Sequence, residues 1–201
     1  MMDPVKNAAD FFVMYKNEIG LALDRVDPIA LNVACQMILE HIHASNPIFS
    51  MGNGGSAALS DHLACDHGKG ITYNTDFKNY VVSLPSNGSL ITAIANDIGY
   101  DSIFSFQLEQ QHTTKGLVIG ISASGSSPNI VKGFEIAKTK GLNTIAMVGF
   151  DGGVVKKRSL ADCIIHVPAF NYGIVEDCHQ MIMHTLSQTI RLMHGKGSFT
   201  L

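Results

Sequence analysis

Short apolar runs recur along the chain, separated by segments in which apolar residues return every three or four positions. The runs Pro47–Met51, Tyr80–Leu84, Leu117–Ile121, Thr144–Val148 and Ile164–Val167 lack the alternation of a half-exposed strand. Each therefore reads as a strand buried on both faces. Helical spacing fills the intervals near 56–68, 88–111, 127–140 and 152–159, and a longer stretch runs from about 173 to 194. Strands alternating with helices imply right-handed crossovers and a parallel sheet covered on both sides. The expected fold class is α/β, a three-layer sandwich with a five-stranded parallel sheet flanked by helices.

The first quarter of the chain departs from that alternation. Asp27 and Pro28 supply an N-cap and a first-turn proline, and Ala30, Val33, Ala34, Met37, Ile38 and Ile42 follow at helical spacing. Phe11, Phe12, Tyr15, Ile19, Ala22 and Val26 suggest a second amphipathic helix before it. We expect residues 1–45 to form an added packing layer over a core at 46–195, all within one domain of 201 residues.

Composition removes several classes of function. A formal net charge of -3 with mixed signs offers no basic face for nucleic acid. The longest uncharged run, Asn79 to Asn96, contains Pro85 and Gly88 and cannot cross a membrane as a helix. Residues 1–6 lack a secretion signal, which points to the cytoplasm. Cys35, Cys65, Cys163 and Cys178 form no close pair, so neither a zinc ribbon nor a disulfide framework is expected.

Candidate chemistry lies where two strands end. Ser122, Ser124, Ser126 and Ser127 lead from the third strand into a helix, where hydroxyls and free N–H groups of the first turn can converge on a phosphate. The loop Gly52-Asn53-Gly54-Gly55-Ser56-Ala57 satisfies the dinucleotide pattern G-x-G-x-x-G/A. The next strand, however, ends Ser83-Leu84-Pro85 without the acid that a ribose requires, so no nucleotide cofactor is expected. His62 and Asp66 lie four apart, and Glu176, Gln180 and His184 form a ladder on one face of the last helix. Such sets can move protons or hold a divalent metal such as zinc. His67 and His179 point about 100° away on their helices and read as structural.

Taken in order, Gly52 through Ala58, His62, Asn96-Asp97-Ile98-Gly99-Tyr100, Gly120 through Gly125, and Glu176 through His184 resemble the phosphoheptose isomerases of the sugar isomerase (SIS) fold. The resemblance implies conversion of sedoheptulose 7-phosphate into D-glycero-D-manno-heptose 7-phosphate by a homotetramer with sites between subunits. It implies that Ser122, Ala123, Ser124 and Ser127 hold the phosphate, that Asn53, Gly54 and Gly55 line the sugar, and that Asn96 and Asp97 bind its hydroxyls. It also implies Asp66, His184 and Glu176 as acid-base groups, and His62, Asp66, Glu176 and His184 as a zinc set.

Departures from the family pattern fall at the sugar end. Asp66 stands where the family has glutamate, shortening the reach by about 1.5 Å, and a misplacement of that size can cost about a hundredfold in rate. Glu176 replaces a glutamine, Ala123 a threonine, Tyr172-Gly173-Ile174 a threonine-alanine-arginine, and Gly70 an arginine, with Lys69 one residue earlier. A different phosphorylated sugar is one implication. The other is a non-catalytic SIS protein, a sugar-phosphate sensor or an adaptor for a replication initiator.

Overall fold

The computed structural model describes residues 6–196, so the ends of the expected 1–201 domain lie outside the described residues. Two helices come first, α1 (Ala8–Leu23) and α2 (Pro28–His43). Asp27 caps α2 by accepting from the Ile29 N–H at 2.8 Å, and Pro28 opens its first turn. The remaining elements alternate: β1 (Ile48–Gly52), α3 (Gly55–Cys65), β2 (Val81–Ser83), α4 (Gly88–Asp97), α5 (Ser105–Glu109), β3 (Leu117–Ser122), α6 (Pro128–Thr139), β4 (Asn143–Val148), α7 (Gly153–Lys157), β5 (Cys163–His166) and α8 (Tyr172–His194).

All five strands run parallel in the order β2-β1-β3-β4-β5. Alternate strand residues feed two separate cores. Ile48, Leu117, Ile119, Ile145 and Ile165 pack with α2, α3 and α8, whereas Phe49, Met51, Val118, Ala146 and Val148 pack with α4, α5, α6 and α7. This is the three-layer α/β sandwich that the uninterrupted apolar runs imply. The helix α1 lies against α8, where Tyr15 donates from its hydroxyl to Asp177 Oδ2 at 2.8 Å and Ala22 is fully buried. No helix among the described residues is long and apolar enough to cross a membrane.

Three boundaries differ from the sequence expectation. The helix expected over 88–111 is broken into α4, a 3-10 turn at Tyr100–Ser102 and α5, because Gly99 adopts φ 133°, a conformation closed to an α-helix. The second strand is only three residues long, since Leu84 and Pro85 turn into a 3-10 helix. The helix expected to reach 68 leaves α geometry at Cys65 and continues as a π-helical turn, Asp66–Gly70, closed by the Ile71 N–H donating to the Asp66 carbonyl at 2.8 Å. Wide turns of this kind re-aim side chains and occur often at functional sites.

Strand order reverses between β1 and β3: the chain moves outward from β1 to β2, then returns to β3 on the other side. Such a switch point opens a crevice beyond the carboxyl ends of the strands. Both candidate loops leave from it.

Candidate active site

The serine-rich loop after β3 is held mainly by backbone. Gly125 takes φ 59°, and a Cβ there would sit 2.2 Å from the Gly152 carbonyl oxygen, so only glycine permits the approach of the loop at 149–153. Across that seam Gly149 N donates to Ala123 O at 2.9 Å, Val155 N to Gly125 O at 2.9 Å, and Val154 N to Ser126 Oγ at 3.2 Å. Ser122 Oγ accepts from Gly125 N at 3.1 Å and Ser124 Oγ from Ser126 N at 3.3 Å. Ser127 is the N-cap of α6 but spends no side-chain bond on it, which leaves its hydroxyl available to a ligand.

Opposite this loop, Asn53 is fixed by a reciprocal amide pair. Its Nδ2 donates to Asn129 Oδ1 and its Oδ1 accepts from Asn129 Nδ2, both at 2.8 Å, while the Tyr100 hydroxyl donates to the same Oδ1 at 3.1 Å. Asn53, Ser56, Ser122, Ala123, Ser124, Ser127, Tyr172 and Glu176 line a shared cavity of about 100 Å³. That is well below the roughly 300–1,000 Å³ usual for small-molecule sites. Gly55 matters to its shape: a Cβ there would lie 2.3 Å from Glu176 Oε2, so the bare glycine lets the carboxylate lean over the loop.

A second group of side chains lies one to two turns further along α8. His184 Nδ1 donates to Asp66 Oδ2 at 2.8 Å, and His62 Nε2 faces Asp66 Oδ1 at 3.5 Å. Gln180 Nε2 donates to His62 Nδ1 at 3.0 Å and to His184 Nε2 at 2.7 Å. The two imidazole lone pairs thus converge on one amide nitrogen while both N–H groups turn toward a single carboxylate. Ser187 Oγ adds a long contact to Asp66 Oδ2 at 3.5 Å. Asp66 keeps α-helical dihedrals and its N–H donates to the His62 carbonyl, so the i, i+4 spacing at the end of α3 sets the acid beside His62.

Three of the four residues of the metal set read from the sequence come together. His62, Asp66 and His184 offer ligand atoms within 4.8 Å of one another, but Glu176 is not among them. It sits eight residues before His184, about 12 Å along the helix axis, against Gly55. Asn96 and Asp97 also stand outside the cavity lining: both are exposed at the end of α4, where Asn96 Nδ2 donates to Asp97 Oδ1 at 2.7 Å. Gly54 is exposed at φ 55° beside the cavity mouth. Tyr100, Asn129 and Ser187, which the sequence reading assigned no role, all join the network. Asn129 could have been noticed as an amide on the first turn of α6, two residues after the last serine, and Tyr100 as the end of the Asn96–Tyr100 motif; Ser187 carries no local signal.

Two imidazoles and a carboxylate are a suitable donor set for zinc, and three protein ligands with a fourth position open is the pattern of catalytic rather than structural zinc. Gln180 occupies His62 Nδ1 and His184 Nε2, the ring nitrogens on the side away from Asp66. Beneath the two regions lie His67 and His179, both buried, with burial lowering each pKa to about 4. They are packing residues and reach neither the cavity nor the acid-imidazole cluster.

Fold and site define a parallel α/β protein with a serine loop and an acid-imidazole cluster at the switch point of its sheet. The family model for the SIS domain matches residues 14–149. A phosphoheptose isomerase of Citrifermentans bemidjiense is 34% identical over 183 residues, 90% of this chain and 93% of the relative. One from Aliarcobacter butzleri is 35% identical over 181 residues, covering 89% and 93%. The solved structure of a phosphoheptose isomerase from Neisseria gonorrhoeae superposes with a TM-score of 0.81 at 26% identity, covering 92% of this chain and 96% of that one. The chain belongs to the SIS domain family and, within it, to the phosphoheptose isomerases.

Proposed function

We propose that this chain interconverts sedoheptulose 7-phosphate and D-glycero-D-manno-heptose 7-phosphate, a reading supported by relatives named phosphoheptose isomerase. The observation that carries the reading is the continuity along α8 from the serine cavity, through Glu176 and Gln180, to the Asp66–His184 pair. A phosphate seated on Ser122, Ser124 and Ser127 fixes one end of the sugar. Six carbon-carbon bonds of about 1.5 Å each then carry C1 and C2 toward Asp66 and His184. Asp66 takes the proton from carbon and returns it to the neighbouring carbon, while His184 Nε2, once Gln180 has moved aside, shifts the proton between the two oxygens of a cis-enediol. Glu176, whose carboxylate makes no hydrogen bond or ion pair among the described residues, accepts from sugar hydroxyls and is the second carboxylate able to serve as base.

Zinc would be held by His62, Asp66 and His184; when bound it supplies Lewis-acid polarisation of the sugar carbonyl and leaves Glu176 as the uncommitted carboxylate base. The small cavity of a single chain supports a site completed by a neighbouring copy, in keeping with a cytoplasmic homotetramer. An acid-imidazole pair has no chemical purpose in an adaptor, which weighs against the non-catalytic alternative.

The test is incubation with sedoheptulose 7-phosphate in deuterated water. We expect aldose formation with deuterium at C2; neither product nor label would refute the assignment. Asp66→Asn and Glu176→Gln then separate the two carboxylates, since loss of the label identifies the base.

A further inference from the structure

Beside the serine cavity stand three aromatic rings that the proposed chemistry does not use. Phe150 and Phe170 are stacked nearly parallel, with centroids 5.8 Å apart and planes at 6°, and Tyr172 meets Phe150 edge-on at 4.8 Å and 72°. Phe170 is 80% exposed and Tyr172 60% exposed, unusual for large aromatic side chains. Phe150 also pays for its position in backbone strain. It takes φ 49°, a region closed to most bulky residues, and is pinned there because its N–H donates to Ala169 O at 3.1 Å while His166 Nε2 donates to its carbonyl at 2.9 Å. Tyr172 opens α8, whose first turn is fixed by Asn171 Oδ1 accepting from Ile174 N at 3.2 Å, and it is a lining residue of the same cavity as Ser122, Ser124 and Ser127.

We propose that Tyr172, backed by Phe150 and Phe170, is a stacking subsite for the C–H face of the sugar carbons next to the phosphate. This deepens the isomerase reading and rests on its phosphate seat. A phosphate held by the serines leaves its carbon chain next to Tyr172, because these residues line one cavity. Sugar carbons present polarised C–H bonds, and these are attracted to the negative face of an aromatic ring. Tyr172 is then the contacting residue, while Phe150 and Phe170 position it. The subsite favours sugar phosphates that carry several carbons beyond the ester and gives nothing to inorganic phosphate.

The decisive measurement compares affinities for sedoheptulose 7-phosphate and inorganic phosphate by calorimetry, in a His184→Ala background that stops turnover. Tyr172→Ala is expected to weaken the sugar phosphate about tenfold, equivalent to about 1.4 kcal/mol, and to leave inorganic phosphate unchanged; Tyr172→Phe should restore the difference. In the active enzyme the same change raises KM and spares kcat. Equal weakening of both ligands, or of neither, overturns the subsite. A Phe170→Ala variant whose assembly mass drops while its sugar affinity holds would also overturn it, by making the rings a contact between copies. If wild type forms no aldose but the Tyr172-dependent affinity difference is present, the isomerase reading fails and the subsite stands.

Discussion

The two ends of the site are built on different principles. The serine end is made by backbone: Gly125, Gly149 and Val155 lock two loops together, and its hydroxyls are presented from a frame that has almost no freedom left. The acid-imidazole end is made by side chains from α3, the π-turn and α8, bonded chiefly to one another through Gln180 and Asp66, and half-exposed. Rigid backbone suits a phosphate, whose charge and shape do not change during an isomerisation. Side chains that can exchange partners suit a region where protons move and an ion can enter.

If that division is right, damage at the two ends separates into kcat and KM. The largest effect is expected from His184→Ala, which removes the group proposed to relay protons on oxygen. We expect kcat to fall by about a thousandfold, within the range general acid-base groups contribute, with little change in affinity for inorganic phosphate. Steady-state kinetics together with phosphate binding checks this; a large loss of phosphate affinity would show that the two ends are not separable.

Folding stability offers the next test, through the imidazole buried beneath the serine end. Burial holds the His179 pKa at about 4, outweighing the nearby Val148 carbonyl, against an ordinary 6.5. The unfolded chain therefore binds this proton more readily, so the stabilising contribution is complete above about pH 6.5 and is lost as pH falls toward 4. Two and a half pKa units correspond to about 3 kcal/mol. Urea unfolding at pH 7 and pH 4.5 should show the decline, and His179→Gln should remove about half of it, because the buried His67, its pKa also lowered to about 4, contributes in the same sense.

Much of the backbone-built end was legible in the sequence. The apolar runs reported the buried parallel sheet, and a glycine among serines after a strand reported a tight turn into a helix, because both depend on local composition. The side-chain end was legible only in part. Helical spacing found His62 with Asp66 and the ladder on α8, yet it placed Glu176 with the metal candidates. Periodicity says which helix face a residue occupies and nothing of which neighbour lies opposite: Gly55 faces Glu176, whereas His62 faces Gln180. The π-turn at Asp66 and the Tyr100–Asn53–Asn129 network arise from tertiary packing and have no signature in spacing.

A smaller perturbation sharpens the claim that the cradle is rigid. Gly125→Ala places a methyl group 2.2 Å from the Gly152 carbonyl at a φ of 59°, so either the seam opens or the loop is strained. A loss of about 2 kcal/mol in stability is expected, the range for strain at a special backbone position. Thermal unfolding should report the loss, and KM should rise with it while kcat in the surviving enzyme holds. A stable variant with unchanged KM would mean that the seam does not shape the phosphate seat.

The smallest effect is expected from Ser127→Ala, and it is the most discriminating. Ser127 carries a hydroxyl that makes no capping bond to α6, so its removal leaves α6 and the loop without a lost internal partner. Stability should therefore stay within about 0.5 kcal/mol of wild type, as for substitutions away from structural features. The lost ligand contact should weaken inorganic phosphate and sedoheptulose 7-phosphate equally, by about fivefold, close to 1 kcal/mol for one hydrogen bond. Equal weakening marks a group that touches only the phosphate, in contrast to Tyr172, whose removal should affect the sugar alone. If Ser127→Ala instead lowers kcat, the serine loop takes part in the chemistry and the boundary between a rigid end and a reactive end has to be moved.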